Sequence, residues 1–163
     1  MQMPHSTSMN ETRVVAALYR AATLEKAWYG PSLAELVARV GPEQASFTIT
    51  PGGHSPTALL QHLLLWNDRI LGAVNGTPMP PWKAEEEWAE PLRPWPTLLE
   101  QWRESRDQLE KAIEEFPVDR LGETVPGRDY EYRHLLNGAV HHIIYHSGQI
   151  ALTLSRSLEA DRS

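Results

Sequence analysis

His142 and His146 stand four residues apart in the stretch HHIIYHSGQIAL. Successive helical residues rotate by roughly 100°, so this pair lies about 40° apart on one face and one turn apart along the axis, close enough to share a metal ion. His141 is turned about 140° from His146, and His134 lies two turns below, about 12 Å along the axis, so neither joins the pair. An H-x-x-x-H pair alone is a weak signal, because two partly buried histidines satisfied by backbone or water have the same spacing. His62 adds weight. It interrupts the apolar stripe Leu59, Leu63, Trp66, Ile70 and Val74 near the middle of another predicted helix. If the two helices are neighbours, the three imidazoles converge at similar depth.

Three neutral imidazoles suit a borderline divalent ion such as zinc, nickel or iron(II) and leave coordination positions open. Nothing in such a ligand set offsets the ion's charge, which favours a bound hydroxide or an incoming anion, such as a thiolate or carboxylate, from a small-molecule substrate. A zinc peptidase of the H-E-x-x-H kind needs a glutamate directly after the first ligand, and Ile143 is there instead. Asp68, Asp129 and Glu131 fall near the relevant helices, but spacing assigns none of them as a general base, and the catalytic residues stay unassigned. The absence of cysteine removes disulfides, thiolate zinc sites and cysteine nucleophiles. With 15 Lys and Arg against 21 Asp and Glu, the net charge of -6 argues against nucleic acid as a partner. No unbroken apolar run reaches about 18 residues, so no membrane partner is expected. The first ten residues lack a basic region and an apolar core, which leads to the expectation of a cytoplasmic location.

The elements that must position these histidines read as helices. Ser8 and Glu11 have capping-box spacing ahead of Val14, Leu18, Ala21 and Trp28, predicting a first helix over 9–29 that stops at Gly30-Pro31. Ser32 and Glu35 repeat the spacing before a short continuation helix ended by Gly41-Pro42. Phe47 to Thr50 is extended in character, and Ser55-Pro56 opens the second long helix, which ends at Gly76. The connection from Gly76 to Pro96 is long enough to cross the bundle, so the second and third helices can run parallel. Thr97 and Glu100 give a third capping-box spacing, and Leu99, Trp102, Leu109, Ile113 and Phe116 mark the third helix up to Pro117. The fourth runs over 131–157, with Asp129 as a possible cap. Four amphipathic helices make an all-α four-helix bundle, read as one domain over 1–163 with flexible tails at 1–8 and 158–163.

Several other residues have both a packing and a chemical reading. Gln149 sits one turn beyond His146 and can either orient a ligand or make a structural hydrogen bond, the second being preferred. Tyr145 lies about 100° off the ligand face and reads as packing or interface. Trp66 is either a core aromatic or a pocket wall, with packing preferred. Trp82, Trp88 and Trp95 in the long connection suggest that it is pinned over the bundle. The run Glu85-Glu86-Glu87 reads as a solvated face.

With these residues identified, the chain resembles the DinB superfamily of metalloenzymes over nearly its whole length. HSPTALLQHLLLWNDRI is similar to the family's second-helix histidine motif, and VPGRDYEYRHLLNGAVHHIIYHSGQIAL to its turn and H-x-x-x-H-x-G-Q-I motif. AWYGPSLAELV is similar to the end of the family's first helix and its continuation. The resemblance implies an up-down-down-up bundle, metal ligands at His62, His142 and His146, and a homodimer. It also implies activities such as thiol-dependent S-transfer with a low-molecular-weight thiol, or metal-dependent hydrolysis. Family membership does not fix the reaction, and two other classes stay open. One is a non-catalytic, stress-related module that captures a metal or ligand. The other is a dimeric helical protein whose histidines are core hydrogen-bonders.

Overall fold

A helix begins where a side-chain oxygen can meet the free amides of its first turn. In the computed structural model, which describes residues 10–88 and 92–160, that oxygen belongs to Asn10, whose Oδ1 accepts from the Thr12 amide at 3.1 Å. Helix α1 spans Glu11–Thr23, and Ser8 lies outside the described residues. It ends well short of the expected position 29. The Thr23 hydroxyl donates back to the Tyr19 carbonyl, and the Arg20 carbonyl takes the amides of both Leu24 and Glu25, which closes the ladder. Helix α2, Leu33–Val37, carries the expected capping box, with Ser32 and Glu35 each serving the other's backbone. Pro42 does not only stop that run. Its fixed φ starts a further short helix, α3, Pro42–Ser46. Phe47 is extended as expected, but its segment joins no strand, and a turn from Thr50 to Gly53 leads to α4.

Helix α4, Pro56–Val74, begins as the Ser55-Pro56 pair predicts, with the Ser55 Oγ accepting from the Ala58 amide. The crossover that follows holds one short helix, α5, Ala84–Glu87. Helix α6, Trp95–Glu115, starts before the expected Thr97 cap. Pro96 sits in its first turn, where a missing amide hydrogen costs nothing, and Pro94 occupies the cap position without a side-chain bond. A 3-10 turn at Val118–Arg120 precedes α7, Tyr132–Ala160. Residues 158–160 are therefore helical rather than a tail, while 1–8 and 161–163 lie outside the described residues. Asp129 is exposed in the loop ahead of α7.

Among the described residues the architecture is all-helical, with seven α-helices. Helices α1 and α4 each pack against both α6 and α7. The apolar faces meet in one cluster, with Tyr19, Leu60, Leu63, Leu98, Trp102, Leu109, Ile113 and Leu136 wholly buried. Two buried polar pairs form where the helices cross: Asn67 donates to the Tyr19 hydroxyl, and the Tyr132 hydroxyl donates to the Ala73 carbonyl. The crossover is fastened at its start. Met79 donates its amide to the Pro126 carbonyl, and Arg128 donates to the carbonyls of Met79 and Pro80. Gly127, at φ +81°, makes this approach possible, since a Cβ there would lie 2.6 Å from the Met79 oxygen. Trp88 and Trp95 pack on the core edge, whereas Trp82 is exposed. No helix among the described residues is long and apolar enough to cross a membrane.

Candidate metal centre

His62 projects from the middle of α4, and His142 and His146 project from one face of α7. The Nε2 atom of His142 stands 3.0 Å from the Nε2 of His62 and 3.0 Å from that of His146. One nitrogen from each ring falls within a sphere of mutual distances under 4.8 Å. His141 is exposed on the opposite side of α7, as helix geometry requires.

The partners of the outer nitrogens decide what these contacts are. His62 Nδ1 lies 3.2 Å from the Glu87 carbonyl, and His146 Nδ1 lies 2.5 Å from the Gln149 Oε1. Both partners only accept, so both Nδ1 atoms carry the proton and both Nε2 atoms present lone pairs. A neutral His142 can aim at most one proton from its Nε2 at two lone pairs, so one of the 3.0 Å contacts is lone pair against lone pair. Burial keeps the rings neutral. Desolvation, with its two imidazole neighbours, pushes His142 down to about 3. Desolvation also pushes His146 down to about 4, against the Gln149 bond, which acts to raise it. His62 is lowered by desolvation too, partly offset by Glu87. Three uncharged nitrogens at this spacing could hold one cation, since bonds of about 2.0–2.1 Å to a single ion are compatible with it.

The model of the DinB superfamily matches residues 23–150. The chain belongs to the DinB superfamily. Neither the curated proteins nor the solved structures gave a match.

Around the triad, this DinB-superfamily chain places groups that the sequence pattern weighed differently. Glu87 is not solvated. Its carboxylate is buried, accepts from the Trp66 Nε1 at 2.6 Å and the Arg69 Nη1 at 2.8 Å, and approaches His62 Nδ1 to 3.4 Å. Glu86 takes the second Arg69 nitrogen and Lys83, nearer the surface. The acidic run conceals this difference because charge patterning does not show which carboxylate turns inward.

Gln149 orients a candidate ligand rather than making a remote structural bond. His54, not singled out by spacing, stacks on Trp88 with centroids 3.4 Å apart, and Trp88 stacks in turn on His62 at 4.4 Å. His54, directly before the Ser55 cap of α4, was the available signal. Trp66 lies edge-on to both His62 and His142 and walls a cavity beside them. None of the three carboxylates considered from the sequence reaches the histidine nitrogens: Asp68 accepts from Ser105, Glu131 pairs with Arg133, and Asp129 is exposed.

Two outcomes follow from this geometry. Because the folded imidazoles resist protonation, the unfolded chain binds more protons between the ordinary imidazole value of 6.5 and about 4. Stability of the metal-free protein is therefore expected to fall as pH is lowered through that window, by up to ~1.4 kcal/mol per pH unit for each histidine involved. Urea denaturation of chelator-treated protein at pH 7, 6, 5 and 4 measures the slope. Separately, Gln149→Leu is expected to weaken metal binding by about 10–100-fold, and Gln149→Glu to retain most of it, in competition with a chromophoric chelator.

Proposed function

We propose that the protein is a metal-dependent enzyme in which His62, His142 and His146 hold one divalent ion, zinc, nickel or iron(II), through their Nε2 atoms. The observation that carries this reading is the convergence of three neutral Nε2 atoms, two of them fixed as lone-pair donors by acceptors at Nδ1. A divalent ion bound there supplies Lewis acidity to a thiol, water or carbonyl oxygen. The chain's own part is positional. Glu87 and Gln149 fix the ring tautomers, and Trp66 and Trp88 cover the His62 ring and limit solvent at the centre. The reaction class we favour is transfer of a low-molecular-weight thiol to a small electrophile, with hydrolysis as the related alternative, on the strength of the family resemblance.

We also infer an up-down-down-up order for α1, α4, α6 and α7. Support comes from Arg133 meeting Glu11, which puts the starts of α7 and α1 together, and from Tyr132 meeting Ala73, which puts the start of α7 at the end of α4. Arg93 meeting Gln61 and Ser105 meeting Asp68 are the contacts of a parallel α4 and α6. A homodimer through the outer face of α7 is part of the same proposal, favoured by exposed Tyr145 and Leu152 two turns apart.

Elemental analysis of protein purified without a metal-binding tag, followed by a thiol and electrophile panel, tests the function. Stoichiometric metal with thiol-dependent turnover supports it. Metal without turnover favours capture of a ligand, and protein that takes up no divalent ion refutes the metal reading.

A further inference from the structure

Two cavities flank His62. The larger, about 540 Å³, is bordered by His54, Asp68, Arg93 and Trp88 and reaches only His62 of the triad. The smaller, about 340 Å³, lies between α4 and the first half of α7 and is bordered by both His62 and His142. Only this second cavity opens on the edge shared by two candidate ligands.

Its lining selects by charge and shape. Trp66 and Ile70 form one wall, and Leu135, Gly138 and Ala139 of α7 form the other. Among the described residues no lysine or arginine lines it, and the one carboxylate, Glu87, is engaged by Trp66 and Arg69. Tyr130 and His134 also border it, with ring centroids 5.0 Å apart, offering polar groups without a fixed charge. Gly138 leaves room: a Cβ built there meets no heavy atom within 4 Å. A volume at the lower end of the ligand-pocket range, an aromatic wall and uncharged polar groups in the lining describe a site for one small ring.

Resting on the metal reading for the position of the reactive atom, we propose that this cavity binds the substrate's uncharged, aromatic-sized group. That group lies against Trp66, with its reactive heteroatom at the His62 and His142 edge. Substrates with a charged group in place of the ring are excluded, because desolvating that charge finds no partner in the lining.

The test titrates the protein, both metal-free and zinc-loaded, with benzyl alcohol, following the backbone amides of Gly138 and Ala139 and the Trp66 indole N–H by NMR. Shifts at these positions are expected in both forms. Gly138→Leu, whose side chain fills the cavity, weakens binding at least tenfold with zinc stoichiometry unchanged. Gly138→Ala, which favours the helix and fills less space, gives an intermediate loss and serves if the larger variant does not fold. Shifts confined to other positions, or affinity unaltered by both substitutions, overturn the proposal. In the zinc-loaded protein phenylmethanethiol binds at least tenfold more tightly than ethanethiol, and the ratio falls toward one in the Gly138 variants. Equal affinities in the unsubstituted protein overturn the substrate class. Protein that binds benzyl alcohol at Gly138 but takes up no zinc refutes the metal centre while leaving the pocket standing.

Discussion

Replacing His142 with alanine is expected to leave the metal-free protein within about 1 kcal/mol of the unsubstituted chain, or roughly 2–4 °C in melting temperature for a domain of this size. Loading with metal is expected to separate the two. At a free ion concentration a thousandfold above its dissociation constant, binding to the folded state alone contributes about 4.1 kcal/mol, which is roughly 8–16 °C, and only the unsubstituted protein gains it. The sign in the metal-free state carries the discrimination. His142 Nε2 faces two lone pairs and can satisfy at most one, so truncation removes a repulsive contact along with a half-buried ring. Were the triad a core hydrogen-bond network, the same truncation would remove one bond and leave its buried partner unsatisfied, at a cost of about 1–3 kcal/mol, and chelation would change nothing. Differential scanning of both proteins, with chelator and with zinc, reads all four states. A metal-free variant several degrees below the parent, with no zinc response in either, would sink the metal centre.

The triad was legible because helical period and burial are both written in one dimension. His142 and His146 share a face by spacing alone, and His62 stands out as a ring in an apolar stripe. Their convergence required knowing that α4 and α7 are neighbours, which the family resemblance supplied and the contacts between those helices bear out. Less legible were features that depend on distant atoms. The end of α1 is set by Thr23 and Arg20 bonding rather than by Gly30, so the apolar period overran it. Helix α6 starts at Trp95 because Pro96 is tolerated in a first turn, although Thr97 and Glu100 offered the better cap pattern. The support of the rings was least visible. Gln149 follows its ligand by one turn and has two equally ordinary roles. Glu87 is separated from Glu85 and Glu86 by its environment and by nothing in its neighbours.

That environment makes Glu87 the second substitution with a large expected effect. Helix α5 has four residues and no side-chain cap, so it cannot hold its own position. Its anchor is the Glu87 side chain, which faces an Arg69 as buried as itself and takes the Trp66 indole hydrogen. Glu87→Ala removes the more buried of the two carboxylates on Arg69 and leaves only Glu86, nearer the surface, and losing a charged hydrogen bond of this kind costs about 1.5–3 kcal/mol, or roughly 3–12 °C in melting temperature. A solvated glutamate, as the acidic run alone suggests, would change stability by less than ~0.5 kcal/mol. The substitution spares the backbone carbonyl that accepts from His62 Nδ1, but it frees the segment carrying it. Metal affinity is therefore expected to fall about 10–100-fold, the usual cost of losing an outer-shell partner. Two origins of that fall are separable. If anchoring is the cause, Arg69→Leu combined with Glu87→Leu recovers stability relative to the single variants, since no unpaired charge is left buried, while metal affinity stays low because α5 is still unanchored. If the carboxylate acts only through its charge on the His62 ring, Glu87→Gln reproduces the whole loss of affinity, although it keeps the shape and an acceptor for Arg69 or Trp66.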